Sequence, residues 1–268
     1  MNQHTIETAQ LARLLGIVRE LRDRCPWDRE QTLANAAKYL IEEAYEAADA
    51  IARGDPLAIA DELGDLLVQV LFAAVMAEQE GRFTVAALPQ AAADKLVRRH
   101  PHVYAGSKAE TAAAVVANWN RIKSEERKAA GFRSVLDGIP RTLPALMLAQ
   151  KLGTRARQAG MDWADIHEVL AKVREEMDEL EGALAADDGD AAAQELGDML
   201  LALANGPRFI GHDAEETLRR ACEKFIRRFE RVERLASARG LDLAKMTMTE
   251  LETLWQEAKR LEQASKRE

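Results

Sequence analysis

Cysteine is almost missing from this chain. Cys25 and Cys222 are the only two, far apart and without CxxC spacing, so neither a disulfide framework nor a cysteine-ligated zinc site is indicated, and a reducing compartment fits best. Aromatic residues make up 5% of the sequence and β-branched residues are sparse, which leaves little from which to build strands. No stretch of about 18 apolar residues occurs, and the N-terminus lacks a long apolar run behind a basic start. The expectation is a soluble cytoplasmic protein with no membrane partner. Positive charge is not in excess either: the net charge of −8 argues against a binder of nucleic-acid polymers, whose phosphates call for a basic surface. Glycine-rich phosphate loops of Walker or Rossmann type are absent, as are serine or cysteine nucleophile motifs. What is present is helix-forming residues (Ala, Leu, Glu, Lys, Arg, Gln) in a chain of 268 with only seven prolines, so an all-α fold is expected, long enough for one large or two ordinary domains.

The chain repeats itself. Leu40-Ile-Glu-Glu-Ala-Tyr-Glu46 is echoed by Val173-Arg-Glu-Glu-Met-Asp-Glu179, and Asp61-Glu-Leu-Gly-Asp-Leu-Leu67 by Gln194-Glu-Leu-Gly-Asp-Met-Leu200, both 133 residues on. Asp94-Lys-Leu-Val-Arg-Arg99 matches Glu223-Lys-Phe-Ile-Arg-Arg228 at an offset of 129. The order acidic, acidic, basic is thus kept through a small deletion. The first copy reads as helices over 5–22, 31–52, 57–80 and 84–99, broken at Cys25-Pro26, Gly54-Asp55-Pro56 and Gly81. The second reads as helices over 142–159, 165–185, 190–204, 213–238 and 248–264, with Asp187-Asp188-Gly189 where the first has Gly-Asp-Pro. Between them Tyr104 to Lys108 reads as loop, Ala109 to Ala130 as helix, and Gly131 to Pro144 as turns. Two tandem four-helix-type modules follow, 1–138 and 139–268.

Glu43 and Glu46 lie three apart, which puts both carboxylates on one helix face, and Glu62 and Asp65 do the same on the next helix. The 15 residues between Glu46 and Glu62 contain the Gly-Asp-Pro turn, so the helices can fold back and oppose the two pairs. Glu176, Glu179, Glu195 and Asp198 reproduce this with the same gap. Leu63, Leu66 and Leu67 surround the acids, so the acidic face is expected to adjoin the core, where clustered carboxylates repel unless a cation neutralises them. Oxygen ligands without accompanying His or Cys point to Mg²⁺ or Mn²⁺, and Mg²⁺ commonly couples carboxylates to substrate phosphates. Lys95, Arg98 and Arg99, and in the second copy Lys224, Arg227 and Arg228, supply cations at helical spacing for phosphate oxygens. A lone ExxE is common on solvated helices. Two ExxE–ExxD sets with equal gaps, each followed by KxxRR, favour a binding site.

These segments resemble the MazG family, within the all-α nucleoside triphosphate pyrophosphohydrolase superfamily that also holds dimeric dUTPases. The likeness is carried by Cys25-Pro-Trp-Asp28, Leu40 to Glu46, Glu62-Leu-Gly-Asp65, Arg98-Arg-His-Pro-His-Val103, Trp119 with Lys123-Ser-Glu-Glu126, Ile139-Pro-Arg-Thr-Leu-Pro-Ala145 and Glu223 to Arg228. The resemblance implies Mg²⁺-dependent cleavage of NTPs or dNTPs to the monophosphate and pyrophosphate, with broad base tolerance, in a homodimer. It further implies that the second module is the competent one, with metal on Glu176, Glu179, Glu195 and Asp198. Phosphate contacts then fall to Lys172, Lys224, Arg227 and Arg228, with Trp255 near the nucleotide, Lys123 reaching over from the inter-module helix, and Glu175 positioning the water. The first module keeps Glu43, Glu46, Glu62 and Asp65.

One departure stands out: after Leu200-Leu-Ala-Leu-Ala-Asn205 come Gly206 and Pro207, where the family pattern would continue the helix. Proline inside a helix costs about 3 kcal/mol. Val70 to Ala77 in the first module runs uninterrupted, which argues that module one could be active. Asn205 reads either as a nucleotide contact or as a helix C-cap. His100 and His102, two apart with no third ligand, read as structural, and Trp27 and Trp163 as core anchors. The rival to an enzyme that clears nucleotides is a regulatory or partner-binding protein that has lost turnover. A dUTP-specific hydrolase is the other alternative.

Overall fold

A computed structural model describes residues 3–264. All regular structure among them is helical: α1 (Gln3–Arg24), α2 (Pro26–Glu30), α3 (Leu33–Arg53), α4 (Pro56–Gln79), α5 (Ala87–Arg99), α6 (Pro101–Tyr104), α7 (Ala112–Ala129), α8 (Ala145–Gln158), α9 (Ile166–Ala185), α10 (Gly189–Asn205), α11 (Ala214–Ala238) and α12 (Met248–Ala264). Short 3₁₀ turns occupy Pro207–Ile210 and Leu243–Lys245. The chain divides into two compact units, Met1–Glu126 and Arg127–Glu268. Among the described residues no helix is long and apolar enough to cross a membrane.

Each unit is built on one helical hairpin, α3 on α4 and α9 on α10, and corresponding residues close both. Thr32 and Asp165, 133 apart, cap α3 and α9: Thr32 accepts from Asn35 N at 3.4 Å, and Asp165 from His167 N at 2.7 Å and Glu168 N at 3.1 Å. At the first bend Gly54 takes the left-handed conformation (φ 77°), Asp55 accepts from Leu57 N at 3.0 Å, and Pro56 opens α4, where no N–H is needed. At the second, Asp187 takes the left-handed position (φ 56°), and Asp188 accepts from Ala191 N at 3.0 Å. The antiparallel return expected from the turn residues is therefore formed in both copies.

In the first unit α1 lies on α4 over Val18, Ala74, Val75 and Val85, with Leu15, Leu71 and Phe72 packed beside them. Arg22 ties α1 to this arrangement, donating to the Asp28 and Gln31 carbonyls and to Gln79 Oε1 at 2.9 Å. In the second unit Ala149 of α8, Ala204 of α10 and Ala214 of α11 meet, their small side chains letting three helices approach closely. A second cluster joins Val232 and Ala236 of α11 to Leu254 and Ala258 of α12.

Several expectations are corrected. Pro26 and Pro101 each start a separate short helix, so the Cys25-Pro26 break holds α2 and Tyr104 ends α6 instead of opening a loop. The helix expected from residue 84 begins at Ala87, because Val85 N is taken by the Glu78 carboxylate at 2.8 Å and the Val85 side chain is buried. Thr111 Oγ accepts from Ala114 N at 3.1 Å and sets the start of α7 three residues later than expected. Trp27 is not a core anchor: it is 59% exposed, touching Tyr39 edge to face. Leu63, expected beside the core, is also exposed.

Candidate functional site

The hairpins bring acids from neighbouring helices together. Carboxylate oxygens of Glu43, Glu62 and Asp65 lie within 4.8 Å of one another, and those of Glu176, Glu179 and Glu195 do the same. Ligands on opposite sides of an octahedral Mg²⁺ shell sit about 4.2 Å apart, so both groups suit one divalent ion of that kind. Glu46 and Asp198 fall outside these close sets, yet each adds negative charge to its neighbours. Glu176 is the buried member at 4% exposure; Glu43, Glu62 and Glu195 are half-buried, and Glu46, Asp65, Glu179 and Asp198 are exposed. Burial, then the repulsion of Asp65 and Glu46, holds the Glu43 carboxyl above the ordinary glutamate range. Burial likewise raises Glu195, followed by its hydrogen bond with Glu176 and the charge of Glu179. Glu176 itself is pulled down, chiefly by Lys172.

Lys172 lies one turn before Glu176 on α9, and its Nζ sits 2.5 Å from Glu176 Oε1 and 2.7 Å from Glu175 Oε1. Both carboxylates stabilise the charged ammonium and raise its pKa. The same lysine lines a cavity of about 530 Å³ in the second unit, walled by Leu136, Leu152, Ala156, Met161, Trp163 and Leu201, with Gly153, Asp162 and Asn205 completing it. The volume falls within the range of small-molecule sites, roughly 300–1,000 Å³. Arg208 pairs through both terminal nitrogens with Asp162, anchoring the turn after α8 to the 3₁₀ turn after α10. The Gly206-Pro207 break ends α10 at Asn205, and a 3₁₀ turn follows.

The repeat positions in the first unit are filled differently. Tyr39 stands 133 residues before Lys172, and Phe72 the same distance before Asn205. With Trp27, Asp28, Gln31, Ala36, Gln69 and Met76 these rings line a space of only about 40 Å³. Here α4 runs unbroken to Gln79, as the sequence suggested, but the space beside it is small and Tyr39 takes the place of the lysine. Gln69 donates weakly to Glu43 at 3.4 Å instead.

The cations of the two KxxRR segments are held alike. Arg98 and Arg99 both bind Glu126 of α7 at 2.6 Å, and Arg99 stacks on Trp119 at 5.1 Å. Arg228 binds Glu262 of α12 at 2.6 Å, with Arg227 at 3.9 Å. Lys95 and Lys224 are exposed. Trp255 packs on the α11–α12 cluster, 5.2 Å from the Phe225 ring, and does not itself line the cavity. Glu175 is 57% exposed in its side chain, adjoining the acids through Lys172. Lys123 lies on α7, in the first unit. His100 Nδ1 donates to Leu96 O (2.7 Å), and its ring meets Trp119 edge to face, which gives it a structural environment. Sequence reasoning missed Gly153, Met161 and Asp162, whose types carry no motif; the substitutions of Tyr39 for Lys172 and Phe72 for Asn205 were readable from the 133-residue offset.

The MazG nucleotide pyrophosphohydrolase domain matches this chain twice, over residues 31–104 and 165–233. The nucleoside triphosphate pyrophosphohydrolase of Escherichia coli (strain K12) is 48% identical over 258 residues, covering 94% of this chain and 98% of that protein. The nucleoside triphosphate pyrophosphohydrolase/pyrophosphatase MazG of Thermotoga maritima is 37% identical over 248 residues, 92% and 94% of the two chains. YabN of Bacillus subtilis, 41% identical, aligns with 93% of this chain over 52% of its own length. Both acidic hairpins fall inside the matched stretches, and the chain belongs to the MazG nucleotide pyrophosphohydrolase family.

Proposed function

We propose that this protein hydrolyses nucleoside and deoxynucleoside triphosphates to the monophosphate and pyrophosphate, in the second of two modules (1–138 and 139–268), and clears unwanted nucleotides in the cytoplasm. The observation that carries this reading is Lys172, which touches Glu176 with its ammonium and lines the cavity with its stem. A chamber of nucleoside size therefore abuts a carboxylate cluster spaced for a divalent ion. The donor set, all oxygens, fits Mg²⁺, with Mn²⁺ as a substitute, on Glu176, Glu179 and Glu195, with Asp198 adding its charge from beside them. When bound, Mg²⁺ supplies positive charge that neutralises the acids and polarises the phosphates.

The chain's own groups do the rest. Lys172, Lys224, Arg227 and Arg228 grip the phosphate oxygens. Trp255 borders the nucleotide side of that grip, and Glu175 orients a water toward the α-phosphorus. The water oxygen bonds to that phosphorus as the bridge to the β-phosphate breaks, pyrophosphate leaves, and one proton passes to solvent. The first module, with Glu43, Glu46, Glu62 and Asp65 beside a space of only about 40 Å³, is a metal site that lacks the lysine of the second; Arg98 and Arg99 hold α5 to α7 through Glu126.

A homodimer is part of the reading. Leu196, Leu200 and Leu203 of α10 and Phe225 and Ile226 of α11 lie exposed, an apolar surface of the sort that a second copy covers. Light scattering on the eluting protein tests this, a monomer mass speaking against it.

Incubation with each NTP and dNTP, with Mg²⁺ or EDTA, tests the activity. Monophosphate and pyrophosphate in equal amounts, abolished by EDTA, are expected. Nucleotide binding without product points to a regulatory protein, and turnover confined to dUTP points to a dUTP-specific hydrolase.

A further inference from the structure

Arg155 of α8 is only 9% exposed and, among the described residues, has neither a hydrogen bond nor an ion pair. Glu176, buried comparably, has Lys172 at 2.5 Å; Arg155 has no such counterpart. A guanidinium keeps its charge at neutral pH, so burying one without an anion is costly. The charge that Arg155 does meet is another cation: burial first, and then Arg127, lower its pKa. Arg127 donates to Asp137 O and lies over the Phe132 ring at 4.8 Å, which fixes it in the segment leading to α8. The little surface that Arg155 keeps includes its nitrogens, since none of them is among the sealed, unpartnered polar atoms. Arg22, 133 residues earlier in the repeat, shows the contrast: its nitrogens are met by the Asp28 and Gln31 carbonyls and by Gln79 Oε1.

We propose that Arg155 and Arg127 hold a phosphoryl group, of free phosphate or of a phosphate chain, at a site apart from the acidic hairpin. The local charge favours an anion: Arg127 to Met161 carries seven cations and one acid, in a chain whose net charge is −8. That acid, Asp137, is turned onto its own turn, accepting from Arg133 N and Ser134 N at 2.8 Å each. Asp162, the next acid along, is engaged by Arg208. No carboxylate of this stretch is left for Arg155. One carboxylate would answer a single charge, whereas two neighbouring guanidinium groups suit a dianion, whose oxygens one fork grips in pairs. The site is separate from the catalytic one, because Arg155 does not line the 530 Å³ cavity and no carboxylate of α9 or α10 contributes to its pKa.

The test is the melting temperature of the full chain in EDTA, with inorganic phosphate or pyrophosphate compared with sodium chloride at matched ionic strength. Wild-type protein is expected to gain roughly 2–4 °C at about ten times the half-saturating concentration. Arg155→Met loses this shift, and Lys172→Met, altered at the acidic hairpin, keeps it. Each protein is read against itself in chloride, so a variant that melts lower still reports. Should Arg155→Met fail to fold, Arg155→Lys, which keeps the charge without the fork, is expected to need about tenfold more anion. A larger gain from pyrophosphate than from phosphate identifies a phosphate chain as the ligand, and the converse identifies the free ion. Absence of a shift in the wild type overturns the site, as does a shift that survives Arg155→Met or one that disappears in Lys172→Met. Turnover enters none of these readings, so failure of this site and failure of the hydrolase reading are told apart.

Discussion

The Lys172 ammonium lies 2.5 Å from the carboxylate of Glu176, the one buried acid of the second cluster. Three carboxylates meet there, with the charge of Asp198 nearby, and without a metal this lysine is the cation that offsets the buried one. Replacing Lys172 by Met removes that charge while keeping most of the stem. The melting temperature in EDTA is expected to fall by several degrees, and saturating Mg²⁺ to recover most of the loss, because the ion then neutralises the same carboxylate. Differential scanning fluorimetry with and without Mg²⁺ reads both; an equal drop in the two conditions argues against shared neutralisation.

Turnover should depend on the second cluster alone. Glu179→Gln keeps shape but removes a ligand charge, and kcat is expected to fall on the order of 10²-fold or more. Glu46→Gln, in the module where Tyr39 and Phe72 line a space of only about 40 Å³, should leave kcat within about twofold. The reverse pattern in a steady-state pyrophosphate assay assigns catalysis to the first module.

How much of this was legible beforehand follows from how local each cue is. Asp55 and Asp188 announce the hairpin turns because capping and left-handed positions act within three or four residues, and the equal 15-residue gaps then force the acids into register. Helix starts at Ala87 and Ala112 were not legible to the residue, since the Val85 N–H is taken by a tertiary hydrogen bond to Glu78 and Thr111 competes with its neighbours as a cap. The cavity was out of reach for a different reason: Leu136, Gly153, Met161 and Asn205 come from separate elements, and only packing brings them together. Trp27 misled because a large aromatic predicts burial, whereas its neighbourhood beside Tyr39 is too shallow to cover it.

The two hairpin turns offer a paired test of backbone strain. Asp187 holds φ 56° where Gly54 holds 77° at the matching position. A residue with a Cβ is strained there by roughly 1 kcal/mol, so Asp187→Gly should stabilise the chain by about 0.5–1 kcal/mol and Gly54→Ala destabilise it by about 1 kcal/mol. Nothing approaches the Cβ position of Gly54, so conformation and not crowding sets the effect. Urea midpoints of the two variants should shift in opposite directions; shifts of one sign would mean that the turns do not share this geometry.

Glu126 gives the pH test, because Arg99 and then Arg98 hold its carboxyl below the ordinary glutamate range. An acid whose folded pKa is depressed stabilises the fold above its unfolded value, about 4.3, and loses that contribution as pH falls through the folded value. Wild-type protein should therefore exceed Glu126→Gln in stability by about 1–3 kcal/mol at pH 7, with the half-exposed Arg98 contributing little of it. The gap should hold down to about pH 5 and close below pH 4, where protonated Glu126 becomes equivalent to glutamine. Urea denaturation of both proteins across pH 3–7 reads this directly. A gap that stays constant over that range would show that the α5–α7 contact depends on side-chain shape and not on the charge of Glu126.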